Sequence, residues 1–131
     1  MKKIGIHGST GSIGTQALKI IKNNNFKVSY LSAYSNSDLL IKQAKEFHPH
    51  SICIVDETKV NVLKEKLNSI DIEILSGHDG LKELSSRDDI DLMLNALVGY
   101  SGMIHTYLAA KNGIDIALAN KESLVVGGQI I

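Results

Sequence analysis

The sequence predicts an α/β protein with a doubly wound, mostly parallel sheet and helices on both faces. Short runs rich in β-branched residues alternate with longer segments of helical period, and these runs are mostly apolar throughout. Continuous apolar strands are typical of parallel sheets buried on both faces. The chain of 131 residues is also long enough for one domain with a core of its own. We therefore expect a single domain over residues 1–131.

Six strands are expected, each from one short apolar run. They cover residues 2–7, 27–33, 51–55, 72–75, 91–97 and 115–119. The connections between parallel strands are right-handed in nearly all proteins, which makes the sheet doubly wound.

Helices are expected between the strands. Their predicted ranges are 12–23, 37–47, 60–67, 81–84 and 101–112, with a final helix after the sixth strand. The spacing of Ile13, Ala17, Ile20 and Ile21 places them on one face of the first helix, which is expected to be buried. Ser37 is expected to cap the second helix, and Asp56 or Thr58 the third.

Composition excludes several classes of protein. Lysine plus arginine equals aspartate plus glutamate at 14 each, so no net charge favours nucleic acid or an anionic membrane. No apolar run approaches the roughly 20 residues of a membrane span. The N-terminus resembles no signal peptide, and the lone Cys53 suits a reduced, cytoplasmic protein in which it is a small buried strand residue. The ending "ESLVVGGQII" suggests a fragment of a longer chain.

Three glycines directly after the first strand predict a phosphate-binding loop. In "GSTGSIG", Gly8, Gly11 and Gly14 stand three apart at the start of the first helix. The N-terminus of a helix offers free N–H groups to a diphosphate, and glycine lets the backbone approach it. Ser9, Thr10 and Ser12 add hydroxyl donors. The alternative is a glycine-rich turn chosen for packing alone.

The end of the second strand predicts which dinucleotide binds. An NAD site usually carries Asp or Glu there to hold the ribose 2′-hydroxyl. This chain has Tyr34, Ser35 and Asn36 instead, although Asp38 lies close by. Neutral polar side chains without a carboxylate favour a 2′-phosphate, and hence NADP.

A second polar motif follows the sixth strand. "LANKESLV" places Asn120, Lys121 and Glu122 in succession at the carboxyl end of a strand, where a capping turn is the alternative explanation. Together with "GSTGSIG" and the intervening "NALVGYSG", it resembles the 1-deoxy-D-xylulose 5-phosphate reductoisomerase family. The resemblance runs from Lys3 to Val126, and implies a Rossmann-like NADPH-binding domain.

The resemblance also implies roles for individual residues. The nucleotide loop of the family falls on Thr10, Gly11, Ser12 and Ile13, and its 2′-phosphate segment on Tyr34, Ser35 and Asn36. Ser35 stands where some members have a basic residue. Asn120 and Glu122 match positions that contact NADPH, and Lys121 matches one that contacts substrate.

The activity implied is rearrangement of 1-deoxy-D-xylulose 5-phosphate and hydride reduction to 2-C-methyl-D-erythritol 4-phosphate, a step of isoprenoid precursor synthesis. The family needs Mg²⁺ or Mn²⁺, held by an acidic D-S-E motif expected downstream of this chain, so catalytic and metal residues are not expected here and the chain alone is expected to be inactive. Full-length members are homodimers that bind a phosphorylated sugar. A plastid location would apply only to a plant-type source, and no transit peptide is evident.

Other readings are weaker. The five histidines lack metal-site spacing, and "HPH" (48–50) is expected to be a solvated turn, as is the acidic "DDIDL" (88–92). A non-catalytic, nucleotide-responsive binding module of the same fold remains as the alternative to an enzyme.

Overall fold

The computed structural model describes residues 1–97, 105, 109, 112–119, 124–126 and 129–130. The strands are β1 (Lys2–His7), β2 (Phe26–Ala33), β3 (Ser51–Ile54), β4 (Glu73–Ser76), β5 (Leu92–Asn95), β6 (Asp115–Ala119), β7 (Leu124–Val126) and β8 (Gln129–Ile130). The helices are α1 (Ser12–Lys22), α2 (Ser37–Phe47), α3 (Val60–Lys66) and α4 (Gly77–Ser85), with a 3₁₀ turn (Glu57–Lys59) before α3.

The described strands form one sheet in the order β4-β3-β2-β1-β5-β6-β7-β8. Strands β1 to β6 are parallel, whereas β7 and β8 are antiparallel to their neighbours. The chain first builds outward from β1 to β4 and then crosses back to place β5 on the other side of β1. This reversal between β1 and β5 is the switch point of a doubly wound sheet.

Each face of the sheet has its own core. Leu18 of α1, Leu40 of α2 and Leu63 of α3 are buried together on one face. On the other face, Leu84 of α4 is buried against Met93 of β5. Each fully buried leucine contributes about 1.5–3 kcal/mol through removal of apolar surface from water. The predicted architecture of helices on both faces is confirmed.

The buried face of α1 was predicted correctly at Ile21 but wrongly at Ile13 and Ile20. Ile13 is 38% exposed and Ile20 is 59% exposed, whereas Gly14, Leu18 and Ile21 are buried. The helix is therefore rotated so that its glycine, rather than an isoleucine, faces the sheet near its start. A glycine there lets the helix approach the loop before it more closely than any side chain would allow.

Two other elements differ from prediction. Helix α4 begins at Gly77, so the turn-like "GHDG" is its first turn rather than a loop before it. Beyond β6, residues 124–126 and 129–130 are strands, not parts of a final helix. Of the helix predicted over 101–112, residues 105 and 109 are helical and most others lie outside the described residues. None of the helices described is long and apolar enough to cross a membrane.

Candidate functional site

The glycine loop, residues 8–14, lies at the carboxyl end of β1 beside the switch point. The carbonyl oxygen of His7, at the end of β1, accepts a hydrogen bond from the Ala96 amide just beyond β5, at 3.0 Å. An open α/β sheet binds ligands in the crevice at this position. The fold therefore places the loop where the sequence predicted a dinucleotide.

Main-chain hydrogen bonds anchor the start of the loop to β2. The amides of Gly8 and Ser9 both donate to the carbonyl oxygen of Ser32, at 3.0 and 2.9 Å. Gly8 has a φ of 77°, in the left-handed region that favours glycine. A Cβ at Gly8 would also lie 3.2 Å from the Ala96 backbone. The first glycine is thus required by the turn itself.

The other two glycines differ in what their surroundings require. A Cβ on Gly14 would lie 2.2 Å from the carbonyl oxygen of Gly8, so close packing of α1 on the loop excludes any side chain. A Cβ on Gly11 would approach nothing closer than 3.6 Å, and its φ of −76° suits any residue. Neither strain nor protein packing explains Gly11. Its glycine leaves room on the exposed side of the loop, which is what an approaching ligand needs.

The N-terminus of α1 is suited to an anion. Its N-cap residue, Gly11, supplies no side-chain hydrogen bond, and the first turn carries no acidic residue. The first amides of a helix have no partner within the helix and carry the positive end of its dipole. Gly11, Ser12 and Ile13 are exposed and Thr10 is partly exposed. These four residues, which the sequence singled out, thus surround the first amides of α1 at the loop surface, although the Gly11 amide itself donates to the Gly8 carbonyl oxygen at 3.3 Å.

The end of β2 presents exposed polar groups. Ser35 and Asn36 are exposed, and the Tyr34 side chain is 66% exposed. Asn36, not Ser37, is the N-cap of α2: its Oδ1 accepts from the Leu39 amide at 3.2 Å. The expectation that Ser37 caps the helix was therefore wrong. Asn36 is a good cap because a short side chain with an acceptor oxygen reaches the N3 amide. Its Nδ2 is a donor on an exposed side chain.

An open cleft of about 610 Å³ lies beside Tyr34. Its lining residues are Tyr34, Val55, Asp56, Glu57, Thr58, Gly77 and His78. Asp56 caps the 3₁₀ turn, and hydrogen bonds from the Thr58 hydroxyl and amide lower the pKa of its carboxyl. Asp56 thus caps the 3₁₀ turn that leads into α3, whereas the N-cap of α3 itself is Lys59, which makes no side-chain cap hydrogen bond, so the cap expected for that helix was wrong. The cleft is large enough for a nucleoside, with an aromatic ring at its edge and an ionised carboxylate that can accept hydrogen bonds.

Buried hydrogen bonds support the loop from beneath. The Gly8 amide donates to Ser32 Oγ at 3.3 Å, and Ser32 Oγ lies 2.8 Å from His7 Nδ1. His7 Nε2 and His105 Nδ1 each lie 2.8 Å from Ser85 Oγ. His7 is completely buried and His105 is 4% exposed. The sequence analysis did not foresee that His7 and His105 join through one serine.

One arrangement of protons satisfies every hydrogen bond of this network while both imidazole rings are neutral. The Ser85 hydroxyl donates to the Leu81 carbonyl oxygen at 2.8 Å, so both histidines donate to Ser85 Oγ. His7 then carries its proton on Nε2 and accepts from the Ser32 hydroxyl through Nδ1. Burial, with a smaller contribution from His105, lowers the pKa of His7 to about 3. The ring is therefore neutral and buried, and it supports the loop through its hydrogen bonds to Ser32 and Ser85.

Cys53 agrees with its simpler explanation, whereas the solvated turn predicted at "HPH" (48–50) is confirmed only in part, because Pro49 is buried between the exposed His48 and His50. Cys53 is free and buried, and burial raises the pKa of its thiol to about 12. His48 is exposed and forms the left-handed C-cap of α2. In the part of the chain that the structure describes, no three His, Cys, Asp or Glu side chains come together as a metal site. Strand β6 ends at Ala119, and the predicted site residues Asn120, Lys121 and Glu122 after it lie outside the described residues.

Comparison with known proteins identifies the family. The sequence model of 1-deoxy-D-xylulose 5-phosphate reductoisomerase matches residues 4–128. The chain belongs to the 1-deoxy-D-xylulose 5-phosphate reductoisomerase family. The resemblance drawn from "GSTGSIG" and "LANKESLV" is thereby confirmed.

Reductoisomerases of known sequence are similar over this whole chain. The enzymes of Thermoanaerobacter pseudethanolicus and Chloroherpeton thalassium are 50% and 48% identical over 100% of this chain. The chain spans about a third of their length, 34% in each case. The matched segment therefore corresponds to one part of those reductoisomerases.

Solved reductoisomerases share the fold. A crystal structure of DOX-P reductoisomerase in complex with NADPH, fosmidomycin and magnesium has a TM-score of 0.86 and 38% identity, covering 93% of this chain and 31% of the other. The Zymomonas mobilis reductoisomerase in complex with NADPH has a TM-score of 0.85 and 33% identity, covering 92% and 32%. These matches confirm the Rossmann-like class predicted from the sequence.

Proposed function

We propose that residues 1–131 form the NADPH-binding domain of an enzyme that converts 1-deoxy-D-xylulose 5-phosphate to 2-C-methyl-D-erythritol 4-phosphate. The observation that carries the proposal is the loop itself. Gly11 keeps a space open at an uncapped helix N-terminus, at the switch point of the sheet. The relatives crystallised with NADPH support the same ligand.

Each half of the site has its own part in binding. The exposed amides and hydroxyls around Thr10, Gly11, Ser12 and Ile13 hold the diphosphate, because a helix N-terminus stabilises negative charge. Ser35 Oγ and Asn36 Nδ2 donate to the 2′-phosphate. By resemblance to the family, Asn120 and Glu122 contact NADPH, and Lys121 contacts the phosphorylated sugar. NADPH held in this way supplies the hydride for the reduction.

We assign the remaining chemistry to segments of the full-length enzyme outside the third that this chain matches. A divalent metal, Mg²⁺ or Mn²⁺, suits hard oxygen ligands and polarises substrate oxygens. We assign its ligands to the acidic motif downstream. The full-length enzyme would be a cytoplasmic homodimer that contributes to isoprenoid precursor synthesis, and neither nucleic acid nor membrane is assigned as a partner.

Titration of the chain with NADPH and NADH at equal salt tests the cofactor assignment. We expect NADPH to bind more tightly, because the end of β2 has neutral donors and no carboxylate directly after Ala33. Fluorescence of the reduced nicotinamide reports both ligands in the same way. Equal affinities would contradict the preference for NADP, and no binding of either would contradict the site.

An activity assay separates the enzyme from the non-catalytic alternative. The gene product including the downstream segments should oxidise NADPH only when 1-deoxy-D-xylulose 5-phosphate and Mg²⁺ or Mn²⁺ are both present. NADPH binding without such turnover would favour a nucleotide-responsive binding module.

A further inference from the structure

A buried glutamine joins the two halves of the dinucleotide site. Gln43, in the second half of α2, is 5% exposed, and Ser9 in the glycine loop is completely buried. Gln43 Nε2 donates to the carbonyl oxygen of Ser9 at 2.9 Å, and Gln43 Oε1 accepts from the Ser9 hydroxyl at 2.8 Å. Two residues 34 positions apart thus form a reciprocal pair of hydrogen bonds.

These bonds fix the loop from a second side. Ser9 is already bound to β2 through its amide, which donates to the Ser32 carbonyl oxygen at 2.9 Å. Burying the polar groups of Gln43 and Ser9 costs free energy unless each group is paired, and here each satisfies the other. The loop is therefore held between β2 and α2.

The bond pair also fixes the position of α2. Helices α1 and α2 are separated by a groove of about 360 Å³, lined in part by Leu18, Leu39 and Phe47. Beyond Gln43, an ion pair between Lys22 and Glu46 at 2.8 Å bridges the helices, but their side chains are 63% and 45% exposed. Exposed ion pairs contribute little. The Gln43–Ser9 pair is thus a buried polar connection between α2 and the loop that precedes α1.

The N-terminus of α2 carries the other half of the site. Asn36 is the N-cap and lies seven positions before Gln43, which is about 10 Å along a helix at 1.5 Å per residue. Because a helix is stiff over this length, any sliding of α2 moves Ser35 and Asn36 relative to the loop. Apolar contacts alone permit small sliding of packed helices, whereas paired hydrogen bonds resist it.

We propose that Gln43 is a positioning residue that sets the spacing between the diphosphate loop and the 2′-phosphate end of the site. The inference rests on the proposed NADPH function. It predicts that loss of the Gln43–Ser9 hydrogen bonds lowers the affinity for ligands that span both halves of the site, but not for ligands that occupy one half.

The test compares NADPH with adenosine 2′-monophosphate, which reaches only the α2 end. The Gln43→Met substitution keeps the length of the side chain and removes both hydrogen bonds. By calorimetric titration of the full chain, we expect the Kd of NADPH to rise about tenfold, or about 1.4 kcal/mol. The Kd of adenosine 2′-monophosphate should change by less than about twofold. Gln16→Met, at an exposed glutamine of α1, is the matched control and should change neither.

A second variant covers the case in which Gln43→Met does not fold, as judged by its Tm. Ser9→Ala removes the hydroxyl bond but leaves the bond from Gln43 Nε2 to the Ser9 carbonyl, so NADPH should weaken by about threefold. Unchanged NADPH affinity in the folded variants, or equal loss for both ligands, would overturn the positioning role. Absence of NADPH binding by the unsubstituted chain would instead overturn the proposed function on which the role depends.

Discussion

The glycine loop and the end of β2 are held in place in different ways. The loop is fixed by main-chain bonds to Ser32, by the buried Ser9–Gln43 pair and by the close approach of Gly14 to Gly8. The end of β2 has exposed side chains. It is held by the cap bond of 3.2 Å from the Leu39 amide to Asn36 Oδ1 and by main-chain bonds of 2.8 Å to the Tyr34 and Ser35 carbonyl oxygens. The difference matches the two parts of a dinucleotide. A diphosphate needs donors at fixed positions, whereas the surface that distinguishes NADP from NAD can vary without disturbing the fold.

The largest loss of stability is expected where α1 packs on the glycine loop. Alanine normally stabilises a helix interior by up to about 1 kcal/mol relative to glycine. At Gly14 the new Cβ would meet the Gly8 carbonyl oxygen at 2.2 Å, so we expect Gly14→Ala to destabilise the chain by about 3 kcal/mol instead.

Urea unfolding of Gly14→Ala beside Gly11→Ala measures that difference. Gly11→Ala meets no atom closer than 3.6 Å and should cost no more than about 1 kcal/mol, through a poorer N-cap. Similar losses in the two variants would contradict the packing of α1 on the loop.

The support beneath the loop should respond to acid. Burial lowers the folded-state pKa of His7 to about 3 from an ordinary value of 6.5. The unfolded chain therefore binds the extra proton as the pH falls through 6.5. Stability should be lost by up to about 1.4 kcal/mol per pH unit between roughly pH 6 and the folded pKa.

His7→Gln keeps an acceptor and a donor without titrating, so it should flatten this part of the pH dependence. Thermal unfolding between pH 7 and pH 5 measures the slopes, with His78→Gln as the control at an exposed position. Identical slopes in wild type and His7→Gln would contradict a neutral, buried His7.

A smaller loss of stability than that of Gly14→Ala is expected at the exposed end of β2. Asn36→Ala should cost about 1 kcal/mol through loss of the N-cap, and Asn36→Asp should restore that stability because aspartate caps equally well. The added carboxylate should also repel a 2′-phosphate and favour a ribose hydroxyl, which shifts preference from NADPH toward NADH. Competitive titration of the two cofactors measures the shift, and an unchanged ratio would remove Asn36 from the 2′-phosphate site.

Local patterns predicted most of the fold but not the ties within the site. The alternation of short apolar runs with segments of helical period predicted the observed bounds of β1, α2 and β6, because the bounds of these elements depend on local periodicity and length. The side of α1 that faces the sheet depends on the close approach at Gly14, which a count of isoleucines does not show. Gln43 lies three positions after the buried Leu40, on the apolar face of α2. A polar residue on that face was the available indication that Gln43 has a buried hydrogen-bond partner. Its partner, Ser9, is distant in sequence.

The most direct test of the account is Gly11→Asp. In the free protein, aspartate suits the N-cap position with its φ of −76° and favours the helix dipole, so stability should be unchanged or higher by a few tenths to about 1 kcal/mol. The carboxylate would also stand where we place the diphosphate, so NADPH affinity should fall by about a hundredfold or more. Gly11→Asn separates bulk from charge and should weaken NADPH less. Gly11→Asp that is stable and still binds NADPH with wild-type affinity would show that the diphosphate does not bind at this loop.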